Sequence, residues 1–211
     1  MTTIYLVSNN CFMNDLLVYK DYLDLDEKRK IRPLTVNGEK VALTIAKKKI
    51  LQNADVIYSS SFFSSINTAK YLAEKNNIDI IIDSRIDDRK IGLLEDKNLN
   101  LRNMQEHDFD YKLVNGESLN EVKNRVRDLV KELIKNYENG KVIMFTHNSC
   151  ILALLSIWAT KGFNYEERLI LEYNDEVLFD GLKTDSDIVG IKFDGDVIKE
   201  LKNIKWGCLY E

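Results

Sequence analysis

The sequence predicts an α/β fold with a mostly parallel central sheet flanked by helices. Short apolar runs rich in branched and aromatic residues recur along the chain, and such runs are typical of strands buried on both faces. Between these runs lie segments whose apolar residues repeat at helical spacing. This alternation of strands and helices favours parallel strands joined by helical crossovers.

The first strand is expected at residues 4–7, where the sequence reads Ile-Tyr-Leu-Val. It ends in three small polar residues, Ser8, Asn9 and Asn10. In an open α/β sheet, ligands bind just beyond the carboxyl ends of the strands. We therefore expect these three residues to border a site, although none of them is a strong nucleophile, base or cation at neutral pH.

Further elements of the first half follow in order. Residues 24–32 carry dense charge of both signs and are expected to form a solvated loop or a short helix. Thr35 is a typical N-cap, and apolar residues at helical spacing predict a helix from there to about residue 51. A strand at residues 54–58, a helix at 64–75 and a strand at 78–82 complete this half.

The second half begins with a polar, irregular stretch at residues 92–110, which is expected to pass over the site. Ser118 and Glu121 form a capping-box pattern that predicts the start of a long helix. A strand at residues 142–145 leads into Thr146-His147-Asn148, and a helix is expected at 149–158. Residues 188–198 are expected to form a hairpin that turns at Asp194-Gly195.

Composition limits the function classes. The chain has 211 residues, which predicts one domain over residues 1–211. A net charge of −4 favours neither nucleic acid nor an anionic membrane as a partner. The three cysteines, Cys11, Cys150 and Cys208, are widely spaced and odd in number, which favours free thiols in a reducing compartment. With no leader pattern and no apolar run of about 20 residues, a cytoplasmic location is expected.

Several short motifs occur in an order and spacing that resemble one known family. They are Leu34-Thr35-Val36-Asn37-Gly38, Tyr58-Ser59-Ser60-Ser61, Asn67-Thr68-Ala69, Gly92 with Glu95, Gly116-Glu117-Ser118, and Thr146-His147. Over residues 3 to about 178 the chain resembles the histidine phosphatase superfamily. The resemblance implies the phosphoglycerate-mutase-like fold, a three-layer sandwich with a mostly parallel central sheet.

The resemblance also implies which functional positions have changed. The family's nucleophilic His corresponds to Asn9, its two phosphate-clamping Arg to Ser8 and Ser64, and its general acid Glu to Asp88. The second family His is kept as His147. An amide cannot carry a phosphoryl group, and a Ser cannot replace a bidentate cation. Losing a covalent nucleophile commonly costs on the order of 10^4 to 10^6 in rate.

We therefore predict a catalytically degenerate member of the family that binds a small molecule or a protein partner, without a cofactor or metal. A homodimer is left open. The alternative is an enzyme that hydrolyses a phosphate ester weakly, with His147 and Asp88 as vestigial catalytic residues. A third reading is an interaction module without an occupied pocket.

The predicted pocket positions are Ser8, Asn9, Asn10, Ser64 and Asn148. Four residues, Ser8, Asn9, Ser60 and Ser64, form a neutral hydrogen-bonding pocket or simply fill a lost site, and the sequence does not separate the two. A Cys–His nucleophile or metal site built from Cys11 or Cys150 is not expected, because the required spacing is missing.

The charged residues near the site leave alternatives open. His147 is either a ligand contact or an ordinary histidine satisfied by nearby backbone. Asp88 is either a surviving acid or part of a solvated charge run. Arg85, Arg89 and Lys90 are expected to face water, the alternative being that they restore positive charge to the pocket. His107, in the polar stretch, is expected at the surface.

Overall fold

The structure is a computed structural model and describes residues 1–8, 11–13, 24–95, 99–180 and 188–204. Its strands are β1 (Thr2–Ser8), β2 (Val56–Ser59), β3 (Ile80–Ile82), β4 (Lys141–Thr146), β5 (Thr160–Phe163), β6 (Leu169–Tyr173), β7 (Glu176–Phe179), β8 (Ile188–Asp194) and β9 (Val197–Ile204). Its helices are α1 (Leu25–Lys30), α2 (Val36–Ala46), α3 (Phe63–Asn76), α4 (Leu101–His107), α5 (Leu119–Asn136) and α6 (Asn148–Leu155).

The central sheet has six strands in the order β3-β2-β4-β1-β8-β9. The first four are parallel to one another, and the β8–β9 hairpin extends the sheet in antiparallel fashion. This confirms the predicted mostly parallel sheet. Ser8 pairs with Thr146, and Ser59 pairs with Phe145, so that β1, β2 and β4 end along one rim.

Each face of the sheet carries its own apolar core, because side chains alternate along a strand. In β1, Ile4 and Leu6 pack in the core that contains the buried side of α5 and α6. Tyr5 and Val7 pack on the opposite face against the buried side of α2 and α3. The helices on both faces confirm the layered α/β architecture.

The start of α2 fixes the chain that leaves β1. Thr35 caps the helix by accepting from Gly38 N at 3.0 Å, as predicted, and its hydroxyl donates to the Cys11 carbonyl at 3.0 Å. A Cβ at Gly38 would lie 2.1 Å from that carbonyl oxygen. The glycine of the Leu-Thr-x-x-Gly motif is thus required by a close backbone approach.

A second motif glycine, Gly92, lies where two segments cross. Its φ of 79° lies in the left-handed region, and a Cβ there would meet Val114 O at 2.4 Å and Gly116 N at 2.5 Å. Leu93 N donates to Val114 O at 2.9 Å across this crossing. The crossing leads directly into α5, whose start has the predicted capping box of Ser118 and Glu121.

Several boundaries differ from those expected. The helix predicted to reach residue 51 ends at Ala46 and is followed by a 3-10 turn at Lys49–Leu51. The third strand begins at Ile80 rather than 78, and the helix after β4 ends at Leu155 rather than 158. Such shifts are usual, since local propensity determines helix and strand ends only weakly.

Two short helices lie in stretches whose structure the sequence left open or predicted to be irregular. The charged stretch at 24–32 forms the short helix α1, and the stretch at 92–110, expected to be irregular, contains α4. Both helices are short, with little apolar periodicity to indicate them. A separate antiparallel sheet has the order β5-β6-β7. None of the described helices combines the length and apolar character needed to cross a membrane.

Candidate functional site

His147 lies at the rim, directly after β4, and is the N-cap of α6. Its Nε2 lies 2.8 Å from Ser60 Oγ and 3.4 Å from Ser65 Oγ. The Phe62 ring packs edge-on against the imidazole, with centroids 4.5 Å apart. These contacts fix the ring, and Ser60 of the serine run after β2 makes the shortest of them.

Asp88 lies on the other side of the imidazole, with Oδ2 4.0 Å from His147 Nδ1. Its carboxylate accepts hydrogen bonds from the Arg29 guanidinium, from Ser149 Oγ at 2.5 Å and from Arg89 N at 2.9 Å. Although its neighbours in sequence are charged, its side chain is only 21% exposed. The reading of Asp88 as part of a solvated run was wrong, because partners distant in sequence enclose it.

The protonation states follow from this environment. Burial alone would raise the pKa of Asp88, but three partners hold that pKa well below its usual range. They are the charge of Arg29, then His147, which is protonated in the acidic range where a carboxylate titrates, and the Ser149 hydrogen bond. Burial lowers the pKa of His147, and the nearby Asp88 carboxylate offsets this only in part. At neutral pH the site therefore contains an aspartate anion and a neutral histidine.

The neutral state of His147 predicts a pH-dependent stability. Its folded pKa lies below the ordinary 6.5, with Asp88 and Asp87 favouring protonation and Arg29 and Arg125 opposing it. The unfolded chain binds more protons below pH 6.5, so the free energy of unfolding should fall as the pH drops below that value. In His147→Gln, which does not titrate, this part of the fall should be absent in urea unfolding at pH 7, 6 and 5.

The matched control is His107→Gln, because the chain has only these two histidines. His107 is exposed, as predicted, and stacks on Phe163 with ring centroids 4.4 Å apart. Because His147 is intact in this variant, the fall in the free energy of unfolding that is assigned to His147 should remain. Equal slopes for the wild type and His147→Gln would contradict the prediction.

Arg29 is the site residue that sequence reasoning missed. It lies on α1, and its guanidinium binds the Asp88 carboxylate, Asp26 Oδ1 at 3.0 Å and the Arg89 carbonyl at 2.9 Å. Its side chain is 14% exposed. The one local signal is the Asp24/Glu27 capping box, which predicts a helix start but not the direction of Arg29.

The three basic residues near Asp88 have different fates. Arg85 forms ion pairs of 2.7 Å with Asp83 and Glu132 rather than entering the site. Lys90 is exposed, as predicted. Arg89, however, lines the cavity beside His147, so the expectation that it faces water was wrong. Arg89 follows Asp88 directly in the chain, and Asp88 is held at the cavity by Arg29 and Ser149.

A cavity of about 470 Å³ opens beside these residues. Its described lining residues are Phe12, Arg29, Asp88, Arg89, Arg102, Gln105, Glu106, Leu119, His147, Asn148, Ser149, Leu152 and Phe179. They come from α1, α4, α5, α6, β7, the loops after β1 and β3, and His147 between β4 and α6. A volume of this size suits a small organic molecule.

The predicted pocket positions fall into three groups. Asn148, at the start of α6, lines the cavity together with His147 and Asp88. Ser8 and Ser64 are buried at the rim, but neither is among the described residues that line this cavity. Asn9 and Asn10 lie outside the described residues.

The two described cysteines are Cys11, which is half-buried, and Cys150, whose surroundings disfavour a reactive thiolate. Cys150 is buried and its thiol donates to the Asp87 carbonyl at 3.0 Å, and burial raises its pKa to about 11. Such a thiol is not ionised at neutral pH and is a poor nucleophile. No group of three or more metal-binding side chains is found in the described ranges. Cys208 lies outside them.

Comparison with known proteins gives a family match. A sequence model of the histidine phosphatase superfamily (branch 1) matches residues 28–177. The probable phosphoglycerate mutase GpmB of Serratia proteamaculans is 26% identical over 133 residues, which is 59% of this chain and 62% of that protein. The protein of the same name from Escherichia coli O1:K1 is 27% identical with the same coverage. The match thus spans less than two thirds of these curated relatives.

Solved structures are similar in fold at low identity. Mycobacterial glucosyl-3-phosphoglycerate phosphatase superposes with a TM-score of 0.65 at 16% identity, covering 97% of both chains. YhfR of Bacillus stearothermophilus gives 0.63 at 19% identity, covering 94% of both. A mutant phosphoserine phosphatase from Entamoeba histolytica, in complex with phosphoserine, gives 0.62 at 18% identity, covering 95% of this chain and 96% of its own.

Proposed function

The chain belongs to the histidine phosphatase superfamily, and we propose that it acts by binding a ligand at the rim cavity rather than by transferring a phosphoryl group. The observation that carries the proposal is the state of Asp88. A general acid must hold a proton at the working pH and therefore needs a raised pKa. Asp88 has a lowered pKa and is bound by Arg29 as a carboxylate.

The histidine supports the same reading. His147 is neutral and buried, and Ser60 Oγ lies against its Nε2. A neutral imidazole adds no positive charge for the oxygens of a transferred phosphoryl group, and phosphoryl transfer depends mainly on such electrostatic stabilisation. The resemblance further implies that neutral Ser8 and Ser64 stand where the family has two clamping arginines.

Arg29 does not replace those arginines as a free clamp. Its guanidinium is engaged by Asp88, Asp26 and the Arg89 carbonyl, which occupies much of its donor capacity. A phosphate that approached Arg29 would also meet the Asp88 carboxylate. The Arg29–Asp88 ion pair is thus better suited to shaping the cavity and balancing its charge than to binding a phosphoryl group during transfer.

A second candidate function is weak phosphate-ester hydrolysis with His147 and Asp88. It is favoured by one observation: these two side chains lie 4.0 Å apart and face the same cavity as Arg29 and Arg89. Hydrolysis would require a water nucleophile and a proton on Asp88 in the reacting state.

The two functions are separated by an assay with p-nitrophenyl phosphate at pH 5 to 8 and high protein concentration. We expect no hydrolysis that depends on His147, because the resemblance implies Asn9 in place of the family's nucleophile and Asp88 is held as a carboxylate by Arg29. A lost nucleophile alone costs on the order of 10^4 to 10^6 in rate. The variants are His147→Ala and, as the matched control outside the site, His107→Ala.

Turnover that His107→Ala retains and His147→Ala loses would overturn the binding proposal in favour of hydrolysis. Equal residual signals in the wild type and both variants support it. Each variant is first checked for a cooperative unfolding transition, so that loss of signal is not loss of fold.

A further inference from the structure

Two polar atoms in the residues that line the cavity are buried without a hydrogen-bond partner: Arg89 Nε and Gln105 Oε1. The Gln105 side chain has a fixed orientation, since Nε2 donates to Tyr111 O at 2.7 Å and to Glu117 O at 2.9 Å. The remaining amide oxygen is an acceptor without a donor. Buried polar groups are nearly always paired, so two such groups in the lining of one cavity need an explanation.

Arg89 also lacks a counter-ion among the described residues. Each other arginine that lines the cavity is paired, Arg29 with Asp88 and Arg102 with Glu106, whereas Arg89 forms no ion pair with a described residue. Burial lowers its pKa, and Asp88 opposes this only in part. An unpaired, mostly buried guanidinium is costly for the fold. A bound anion would remove that cost.

The net charge of the lining residues indicates the charge of the anion that the cavity would bind. Three guanidinium groups, of Arg29, Arg89 and Arg102, face two carboxylates, of Asp88 and Glu106, while His147 is neutral. One positive charge remains on the described lining. A monoanion balances it, whereas a phosphate-ester dianion would leave the cavity negative and would lie near the Asp88 carboxylate.

Four further side chains of the lining are apolar. Phe12, Leu119, Leu152 and Phe179 line the cavity together with the charged groups. This combination is typical of pockets that bind a compact organic body and orient it with a few polar contacts. A free inorganic ion would leave this apolar surface uncovered.

We propose that the cavity binds a small organic carboxylate that also carries a hydroxyl donor and an apolar body. Arg89 holds the carboxylate, Gln105 Oε1 accepts from the hydroxyl, and the apolar side chains cover the body. A guanidinium matches a carboxylate in geometry and charge. This assignment rests on the proposed binding function and adds the class of ligand.

The test is calorimetric titration of the full chain at pH 7 with three probes that share a phenyl group. They are 3-phenyllactate, 3-phenylpropionate, which lacks the hydroxyl, and phenyl phosphate, a dianion. We expect 3-phenyllactate to bind most tightly, with 3-phenylpropionate weaker by up to about tenfold because one hydrogen bond is lost. Phenyl phosphate should bind more weakly than 3-phenyllactate.

The decisive variant is Arg89→Met. It should weaken 3-phenyllactate binding by about ten- to a hundredfold, as expected for loss of a charged hydrogen-bonding group. Because the Arg89 side chain has no ion pair with a described residue, its removal should leave the melting temperature of the free protein unchanged or raised. Arg85→Met is the matched control: Arg85 is paired outside the cavity and its removal should leave binding unchanged.

Equal affinity of the wild type and Arg89→Met for 3-phenyllactate would overturn the assignment, as would tighter binding of phenyl phosphate or binding of no probe. If Arg89→Met does not fold, Arg89→Lys is used instead. It keeps the positive charge but not the planar guanidinium, and its loss of affinity for 3-phenyllactate should be smaller than that expected for Arg89→Met. Failure of this assignment is distinguishable from failure of the proposed function, which fails if phosphate-ester turnover is kept in His107→Ala and lost in His147→Ala.

Discussion

Replacing Arg29 by methionine is expected to lower the free energy of unfolding by about 3 kcal/mol at pH 7. The substitution leaves the Asp88 carboxylate, 21% exposed, without its strongest partner beside a neutral histidine. Breaking one side of a largely buried pair is costly because the remaining charge is desolvated and uncompensated. The measurement is urea unfolding of Arg29→Met against the wild type.

The acidic range provides a second readout for the same variant. The pKa of Asp88 is held below its usual 3.8, so the ionised carboxylate contributes stability above that value and loses it as the pH falls further. The difference between Arg29→Met and the wild type should therefore shrink in strong acid. Adding Asp88→Asn to Arg29→Met should recover part of the loss, since the orphaned charge is gone.

Lys30→Met is the matched control on the same helix. Lys30 pairs with Asp87 at 3.4 Å, but its side chain is 47% exposed. An exposed pair of this kind contributes between 0 and about 1 kcal/mol, so the control should be nearly neutral. If Arg29→Met costs no more than Lys30→Met, Arg29 is not the buried counter-ion of Asp88.

Glu106→Leu is the second substitution with a large expected effect, again about 3 kcal/mol. Glu106 is buried on α4 and accepts hydrogen bonds from Arg102 at 2.6 Å, from Arg168 at 3.3 Å and from Leu169 N at 3.1 Å. It thereby joins a wall of the cavity to the start of β6. Leucine fills the space but leaves the buried Leu169 N–H and two guanidinium groups without this partner.

Glu106→Gln should cost less than Glu106→Leu, because the amide oxygen still accepts from Leu169 N. Glu200→Gln is the exposed control: Glu200 pairs with Lys192 and Lys202 and is 41% exposed. Its replacement should change the free energy of unfolding by well under about 1 kcal/mol. A similar small cost for Glu106→Leu in urea unfolding would contradict the role assigned to Glu106.

Residues near each other in sequence predicted much of the fold. The apolar runs placed β1, β2 and β4, and the two N-caps at Thr35 and Ser118 were found because capping chemistry is local. The helices α1 and α4 were harder to predict from the sequence, because each has only a short apolar face. The packing of α1 at the site also depends on Arg29 meeting Asp88, 59 residues away.

The candidate site was predictable only in part. The motif order indicated that His147 and Asp88 approach each other, and the structure brings them to 4.0 Å. The direction of each charged side chain was not predictable from the motifs. Arg85, Asp88 and Arg89 lie in one charged stretch, yet one pairs at the surface and two line the cavity.

The sequence by itself determined that a parallel sheet carries three polar loops to one rim, and that Ser8 and Asn9 stand where the resemblance implies a clamping Arg and the nucleophilic His. Strand pattern and residue type are enough for the first conclusion, whereas the second depends on the resemblance. Only the tertiary structure showed which charged side chains lie at that rim. Arg29 and Arg89 reach the cavity through long-range contacts, and a charge acts through its distance and burial rather than through its place in the chain.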